Sequence, residues 1–245
     1  MNRQVIKMRA IIKEKEGAGF VTLTERAEPQ IKPNEVLIKV DAVGICGTDI
    51  KIRAGHTWSN PPVILGHELA GVVVKTGANV KSVKVGDRVV PETAQQICGS
   101  CYYCRSGNYL MCNKRLSIGY GVDGGMAEYC AIREDIIHKL PDNIDTTNGA
   151  MCEPAAVAVH AVYDAVNLLS TDVVLVSGSG TIGLLVAQIA KSFGTTVIIT
   201  GLNCDEMRLE TARKLGIDYT VNIEKEDLSA VIDRVTGGVG VDVAF

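Results

Sequence analysis

Four cysteines stand close together in the middle of the chain, as Cys98-x2-Cys101-x2-Cys104-x7-Cys112. Four thiolates on one short loop can close a tetrahedral shell around zinc and leave no position open, as structural zinc sites do. Gly99, Ser100, Ser106 and Gly107 give the backbone room to wrap an ion. Loop cysteines without a ligand, or a disulfide pair, are the plainer alternatives, and four at this spacing argue against both. An iron–sulfur cluster is the stronger competitor, because ferredoxins also string cysteines at close intervals.

A second group is Cys46-Gly47-Thr48-Asp49 together with Gly66-His67-Glu68. Taken singly, Cys46 reads as a small buried hydrophobe and His67–Glu68 as a surface pair. Taken together they offer a thiolate, an imidazole and a carboxylate, three protein ligands that would leave a fourth position free, as catalytic zinc sites do. Zinc so held can polarise an alcohol oxygen and lower its pKa. The third group is Gly178-Ser179-Gly180-Thr181-Ile182-Gly183. A lone G-x-G-x-x-G is weak, but this one follows an apolar strand pattern and opens a helix pattern. In that context it can bring a dinucleotide pyrophosphate to a helix N-terminus. A glycine turn with no ligand is the alternative.

These residues need two different scaffolds. Glu35–Ile45, Ala70–Gly77, Gly86–Val90 and Met126–Ile132 are rich in Val, Ile or Tyr and bounded by Gly, Pro or Asp, which predicts strands of a barrel-like β domain over residues 1–150. The ligand candidates fall on its loops. From about residue 151 to 245 the texture changes. Pro154–Asn167 is helical in character, and strand and helix patterns then alternate from Val173 to Phe245, predicting a parallel sheet wound with helices. About four strands can be counted where a doubly wound sheet usually has six, so the reading expects an incomplete sheet and a C-terminally truncated chain. Such a chain would keep both zinc sites but have weak cofactor affinity and little activity, with an unpaired strand edge near Val243.

Composition removes several function classes. Apolar residues at 47% and charged residues at 22% suit a soluble globular protein. A net charge of -3 and the lack of a basic block give no reason to expect nucleic acid or a membrane surface as partner. The first residues are charged throughout and lack the apolar core of a signal peptide. The uncharged run Val173–Ala190 is broken by the glycine turn and does not read as a membrane span. Eight cysteines without an export signal fit a reducing cytoplasm and metal ligation.

The motifs AVGICGTD, GHE, the four-cysteine loop, MCEPAAVAVHA and SGSGTIG occur in the order seen in zinc-dependent medium-chain alcohol dehydrogenases, and the chain resembles that family over nearly its whole length. The Glu153–Pro154 pair is similar to the sorbitol and threonine dehydrogenase branch. The resemblance implies a GroES-like β-barrel catalytic domain followed by a Rossmann domain, here partial. It implies one catalytic zinc on Cys46, His67 and Glu68, one structural zinc on Cys98, Cys101, Cys104 and Cys112, and Glu153 close to the catalytic metal. Thr48 matches the hydroxyl that would bond the substrate alcohol. Gly178, Gly180, Thr181, Ile182, Gly183 and Asn203 match the NAD(P) site, and the substrate implied is a secondary alcohol or polyol. Relatives pair as homo-oligomers through strands beyond residue 245.

Two positions depart from the family pattern. Lys51 stands where a histidine often completes a proton path, and Gly201 stands where an acid would hold the ribose of NAD. No Arg or Lys follows at Leu202, Asn203 or Cys204 to hold a 2′-phosphate. Arg208 reads as a solvated helix residue and Asp205 as a helix N-cap, so NAD and NADP both stay open. His56 and Trp58 are candidates for the substrate pocket. A zinc-free enone or quinone reductase of the same superfamily, and a non-catalytic zinc-stabilised binding protein, are the competing functions. Zinc content would separate them.

Overall fold

The computed structural model describes residues 7–245; the start of the charged N-terminal stretch lies outside them. The chain divides into two compact units, one ending at Glu153 and the other running from Pro154 to Phe245. No helix among the described residues is long and apolar enough to cross a membrane.

The first unit is built on β1 (Lys7–Lys13), β2 (Val21–Ala27), β3 (Glu35–Gly44), α1 (Gly47–Arg53), β4 (Val63–Ile64), β5 (Glu68–Thr76), β6 (Arg88–Pro91), α2 (Tyr102–Arg105), β7 (Tyr129–Arg133), β8 (Ile137–Lys139), α3 (Thr146–Gly149) and the start of α4 (Cys152–Val159). Five strands form an antiparallel sheet in the order β7-β3-β5-β6-β8, and three more in the order β2-β1-β4. An Ala10–Ala127 bridge and the Ile11 N–H donating to Met126 O at 2.8 Å join the two sheets at one edge. Val36, Ile38, Val73, Val89 and Ile132 fill the interior of the larger sheet, and Met8, Ala10, Ile12 and Ile64 that of the smaller.

The β1–β2 hairpin is not among the strands expected from sequence. Alternate residues of β1 are Lys7, Arg9 and Ile11 on the outside, with Met8, Ala10 and Ile12 inside. That period of two was hidden beneath a run of charges. Lys13 closes the hairpin from within: it is 1% exposed, and its ammonium donates to the carbonyls of Gly17 and Gly19. Burial holds its pKa below the ordinary lysine value.

The second unit continues with β9 (Val173–Val176), α5 (Thr181–Ser192), β10 (Thr196–Gly201), α6 (Glu206–Lys214), β11 (Tyr219–Asn222), α7 (Leu228–Thr236) and β12 (Val243–Ala244). Its four strands are parallel, in the order β11-β10-β9-β12. Val197 and Ile199 of β10 pack with α5 and α6 on one face, whereas Ile198 packs with Val231 of α7 on the other. The sheet is therefore covered on both faces, as its β-branched strands require. The helical stretch expected over Pro154–Asn167 is shorter and mixed. It begins with α4, and His160–Asp164 widens into a π-helical turn before the chain leaves the helix.

Candidate metal centres and nucleotide site

Cys46 caps the N-terminus of α1 in extended conformation, and its N–H donates to Asp49 Oδ2 at 2.9 Å. This local box keeps the thiol at the N-terminus of α1, where Thr48 bonds it. His67 and Glu68 enter at the start of β5, where Glu68 lies directly across from Gly44 of β3. A Cβ at Gly44 would come within 2.1 Å of Glu68 Oε2, so only glycine admits that carboxylate. Gly66 holds φ +89°, and Met126 Cγ and Val43 Cγ2 occupy the space a side chain there would need. The result is a sulfur, an imidazole nitrogen and a carboxylate oxygen, all within 4.8 Å of one another.

His67 is the buried member of that trio, Cys46 and Glu68 are half-buried, and the polar groups around them are incompletely paired. His67 is 5% exposed and meets Tyr120 edge-on, with ring centroids 5.8 Å apart. Its Nδ1 lies 3.9 Å from Asp49 Oδ1, and neither buried atom has a hydrogen-bond partner among the described residues. Burial pushes the Cys46 thiol up; hydrogen bonds from the Thr48 backbone and hydroxyl work against this, and the Glu68 charge adds to it. Thr48 thus faces the sulfur. Glu153, in the first turn of α4, is also raised, first by burial; His67 opposes the shift, and Glu68 and Asp49 reinforce it. It feels the trio's charge but is not one of the donors that close to within 4.8 Å. Lys51 points to solvent from α1. His56 and Trp58 line a cavity of about 300 Å³ with Lys13, Ile52 and Ser59. A half-buried thiol, a carboxylate and an unpaired imidazole–carboxylate contact in one place suit a divalent cation, which favours the ionised thiol that burial disfavours.

The four-cysteine loop folds around its sulfurs. Cys101 caps α2 with its sulfur accepting the Cys104 N–H, Cys98 accepts the Cys101 N–H at 3.3 Å, and Cys112 accepts the Cys98 N–H at 3.4 Å. All four sulfurs fall within 4.8 Å of one another, and all four cysteines are free. The backbone donors pull Cys98 down to about 5, and the Cys98 N–H lowers Cys112. Burial and neighbouring sulfurs push Cys104 up to about 12. Four sulfurs this close repel as thiolates, so the donor set fits a cation that would let them ionise together. Tyr109, within the loop, donates to Glu92 Oε2 at 2.5 Å and anchors it to the barrel.

In the second unit, β9 leads into Gly178, at φ +102°, and Gly180 caps the twelve-residue α5 with no side chain bonded to its amides. A Cβ at either glycine would meet nothing within 4 Å, whereas one at Gly183 would meet Gly178 O at 1.9 Å. The first two glycines thus border open space at a helix N-terminus, and the third is demanded by close packing. Thr181 and Ile182 form the exposed first turn. That cradle fits a pyrophosphate. Asn203 sits beyond β10, its N–H donating to Glu224 Oε2 and its side-chain oxygen accepting from Asn222. Asp205 does occupy the N-cap of α6, but its carboxylate bonds none of the helix amides. It accepts instead from the Leu202 N–H at 3.2 Å and from Arg208 at 2.7 Å. Arg208 is correspondingly ion-paired, although exposed.

Two family profiles match this chain: the alcohol dehydrogenase GroES-like domain over residues 32–142 and the zinc-binding dehydrogenase over residues 181–245. The chain is 42% identical over 238 residues to a sorbitol dehydrogenase of Halalkalibacterium halodurans, covering 97% of this chain and 69% of that one. It is 44% identical over 240 residues to D-arabitol-phosphate dehydrogenase of Enterococcus avium, covering 97% and 68%. A solved structure from Sinorhizobium meliloti 1021, assigned as a zinc-binding dehydrogenase and bound to NADP, superposes with a TM-score of 0.87 at 33% identity, covering 98% of this chain and 69% of that one.

Proposed function

The chain belongs to the zinc-dependent alcohol dehydrogenase family of oxidoreductases, and within it we propose that Cys46, His67 and Glu68 hold the catalytic zinc. The observation that carries this assignment is the convergence of their three donor atoms within 4.8 Å beside the unpaired Asp49–His67 contact. Residues 1–150 supply catalysis and residues 151–245 the NAD or NADP cradle at Gly178–Gly183. Cys98, Cys101, Cys104 and Cys112 hold a second zinc that stabilises the barrel. The reducing interior of the cytoplasm suits eight free cysteines.

When bound, zinc polarises the alcohol oxygen and the nicotinamide accepts the hydride. The protein's residues arrange the rest. Asp49 Oδ1 stands 3.9 Å from His67 Nδ1, so the ring's other nitrogen, Nε2, would be the one to hold the metal. Gly44 clears the path of the Glu68 carboxylate. The Thr48 hydroxyl, already turned toward Cys46, is placed to accept the proton of a substrate hydroxyl and pass it outward. Glu153, its carboxyl held above the ordinary glutamate value first by burial, stands within the charges of His67 and Glu68. Lys51, on the same helix as Thr48, is exposed at the solvent end of any such path. The substrate class is a secondary alcohol or polyol, the chemistry that the sorbitol and arabitol-phosphate relatives' names record.

The test is metal analysis beside nicotinamide-linked alcohol oxidation, on the wild type and on His67→Ala. The variant should lose one zinc equivalent and its turnover while cofactor binding is kept. Unchanged turnover would refute the assignment.

A further inference from the structure

Resting on the dinucleotide reading above, we propose that this chain selects NAD over NADP. Asp205 supplies, from the turn after β10, the carboxylate that position 201 lacks. The carboxyl end of the second strand in such a sheet is where an acid reads the ribose hydroxyls of NAD, or where an arginine receives the 2′-phosphate of NADP. Here the strand ends in Gly201, which by itself favours neither. The space beside Gly201 is nevertheless filled. A Cβ there would meet Ser179 Oγ at 2.9 Å, Asp205 Cβ at 3.2 Å and Leu209 Cδ2 at 3.2 Å. The carboxylate has moved in sequence, but its root lies beside the point where a side chain at 201 would begin.

Two further features define what this corner recognises. Ser179, inside the glycine turn, is 1% exposed, and its Oγ has no hydrogen-bond partner among the described residues. An unpaired buried hydroxyl and the root of an acid, both beside the point where a side chain at 201 would begin, suit the donors and acceptors of a ribose diol. The charges point the same way. Arg208, on the helix that follows this turn, is already held by Asp205 at 2.7 Å. Glu224 adds a carboxylate bonded to the Asn203 N–H, and Glu206 is neutralised by Arg213 and Lys225. A 2′-phosphate would enter beside the Asp205 and Glu224 carboxylates, where Arg208, Arg213 and Lys225 are each already paired with an acid.

The experiment is calorimetric titration of the whole chain with NAD and with NADP, repeated on Asp205→Asn and Glu224→Gln. Asn at 205 can still accept the Leu202 N–H, so the turn keeps its bond while the charge is lost and Arg208 is released. Wild type should bind NAD tighter by roughly 10–100-fold, the worth of one hydrogen bond to a charged group. Asp205→Asn should weaken NAD and strengthen NADP until the two are within about threefold. Glu224→Gln should strengthen NADP while NAD changes little, and it keeps the charge argument testable should Asp205→Asn unfold. NADP binding as tight as NAD in the wild type, or an unchanged ratio in Asp205→Asn, overturns the selectivity. Binding of neither cofactor refutes the dinucleotide site itself, and the inference with it.

Discussion

Gly44→Ala separates the candidate catalytic metal site from the fold that carries it. The φ of Gly44 is not in the left-handed region, so alanine can adopt the backbone, and within a strand it is favoured over glycine by about 0.5–1 kcal/mol. Its Cβ, however, would stand 2.1 Å from Glu68 Oε2 and 3.2 Å from Glu68 Cδ. Non-bonded contacts settle near 3.5 Å, so the carboxylate must retreat by roughly 1 Å or more. It can do so cheaply, because it is the free end of a side chain. Metal–ligand distances tolerate only about 0.2 Å, so the retreat removes Glu68 from the shell. Disturbing even a supporting partner of a ligand costs about 10–100-fold in affinity, so loss of a ligand should cost at least that, about 1.4–2.8 kcal/mol. Chelator competition on the purified variant should show one weakened zinc equivalent, the Cys98–Cys112 equivalent unchanged, and a melting temperature near that of the wild type. Gly71→Ala is the contrast. Its Cβ would meet the backbone oxygen of Lys39 at 2.1 Å, which cannot move aside, so the fold should lose roughly 1–3 kcal/mol. Wild-type metal affinity and turnover in Gly44→Ala would show that Glu68 is not a ligand.

Cys101→Ser should release one zinc equivalent and lower the melting temperature while the catalytic equivalent stays; recovery of redox-active iron from the wild type would refute the zinc assignment of that loop. Glu134 accepts the N–H groups of Lys81 and Ser82, which hold its pKa below the ordinary glutamate value. A depressed folded pKa means that the stabilisation is full above the unfolded value and disappears as pH falls through the folded one. Urea unfolding from pH 7 down to pH 3 should therefore show a loss of stability in acid that is smaller in Glu134→Gln, and identical pH slopes would contradict the contact.

The parts legible in the sequence are those where chemistry requires fixed spacing. The four cysteines, the GHE tripeptide and the glycine turn each declared their scaffold, and the structure gathers the first two sets within 4.8 Å. Contacts set by the fold were not legible. Nothing in Gly44 announces that Glu68 will lie across from it, because that depends on the register of β3 and β5, shifted twice by irregularities before Gly44. The β1–β2 hairpin escaped for a related reason, since its outward lysine and arginine masked an inward row of Met8, Ala10 and Ile12. An acid before a helix reads as a side-chain cap, but the turn Asn203–Asp205 bends the Asp205 carboxylate back to Leu202 although the residue holds the N-cap position.

The contact between His67 Nδ1 and Asp49 Oδ1 carries the strongest physical case for a cation. Both atoms are buried, both lack partners, and 3.9 Å is too far for a hydrogen bond. A buried polar group left unmade costs about 1–3 kcal/mol, and more when charged, so a fold gains nothing by keeping two of them side by side. Solvation is no remedy at 4–5% exposure. A cation held by His67 with Cys46 and Glu68 would set positive charge beside the unpaired Asp49 carboxylate. The same cation offsets the burial that raises the Cys46 thiol. One ion would thus offset the unpaired Asp49–His67 contact and the thiolate that burial disfavours at Cys46 together.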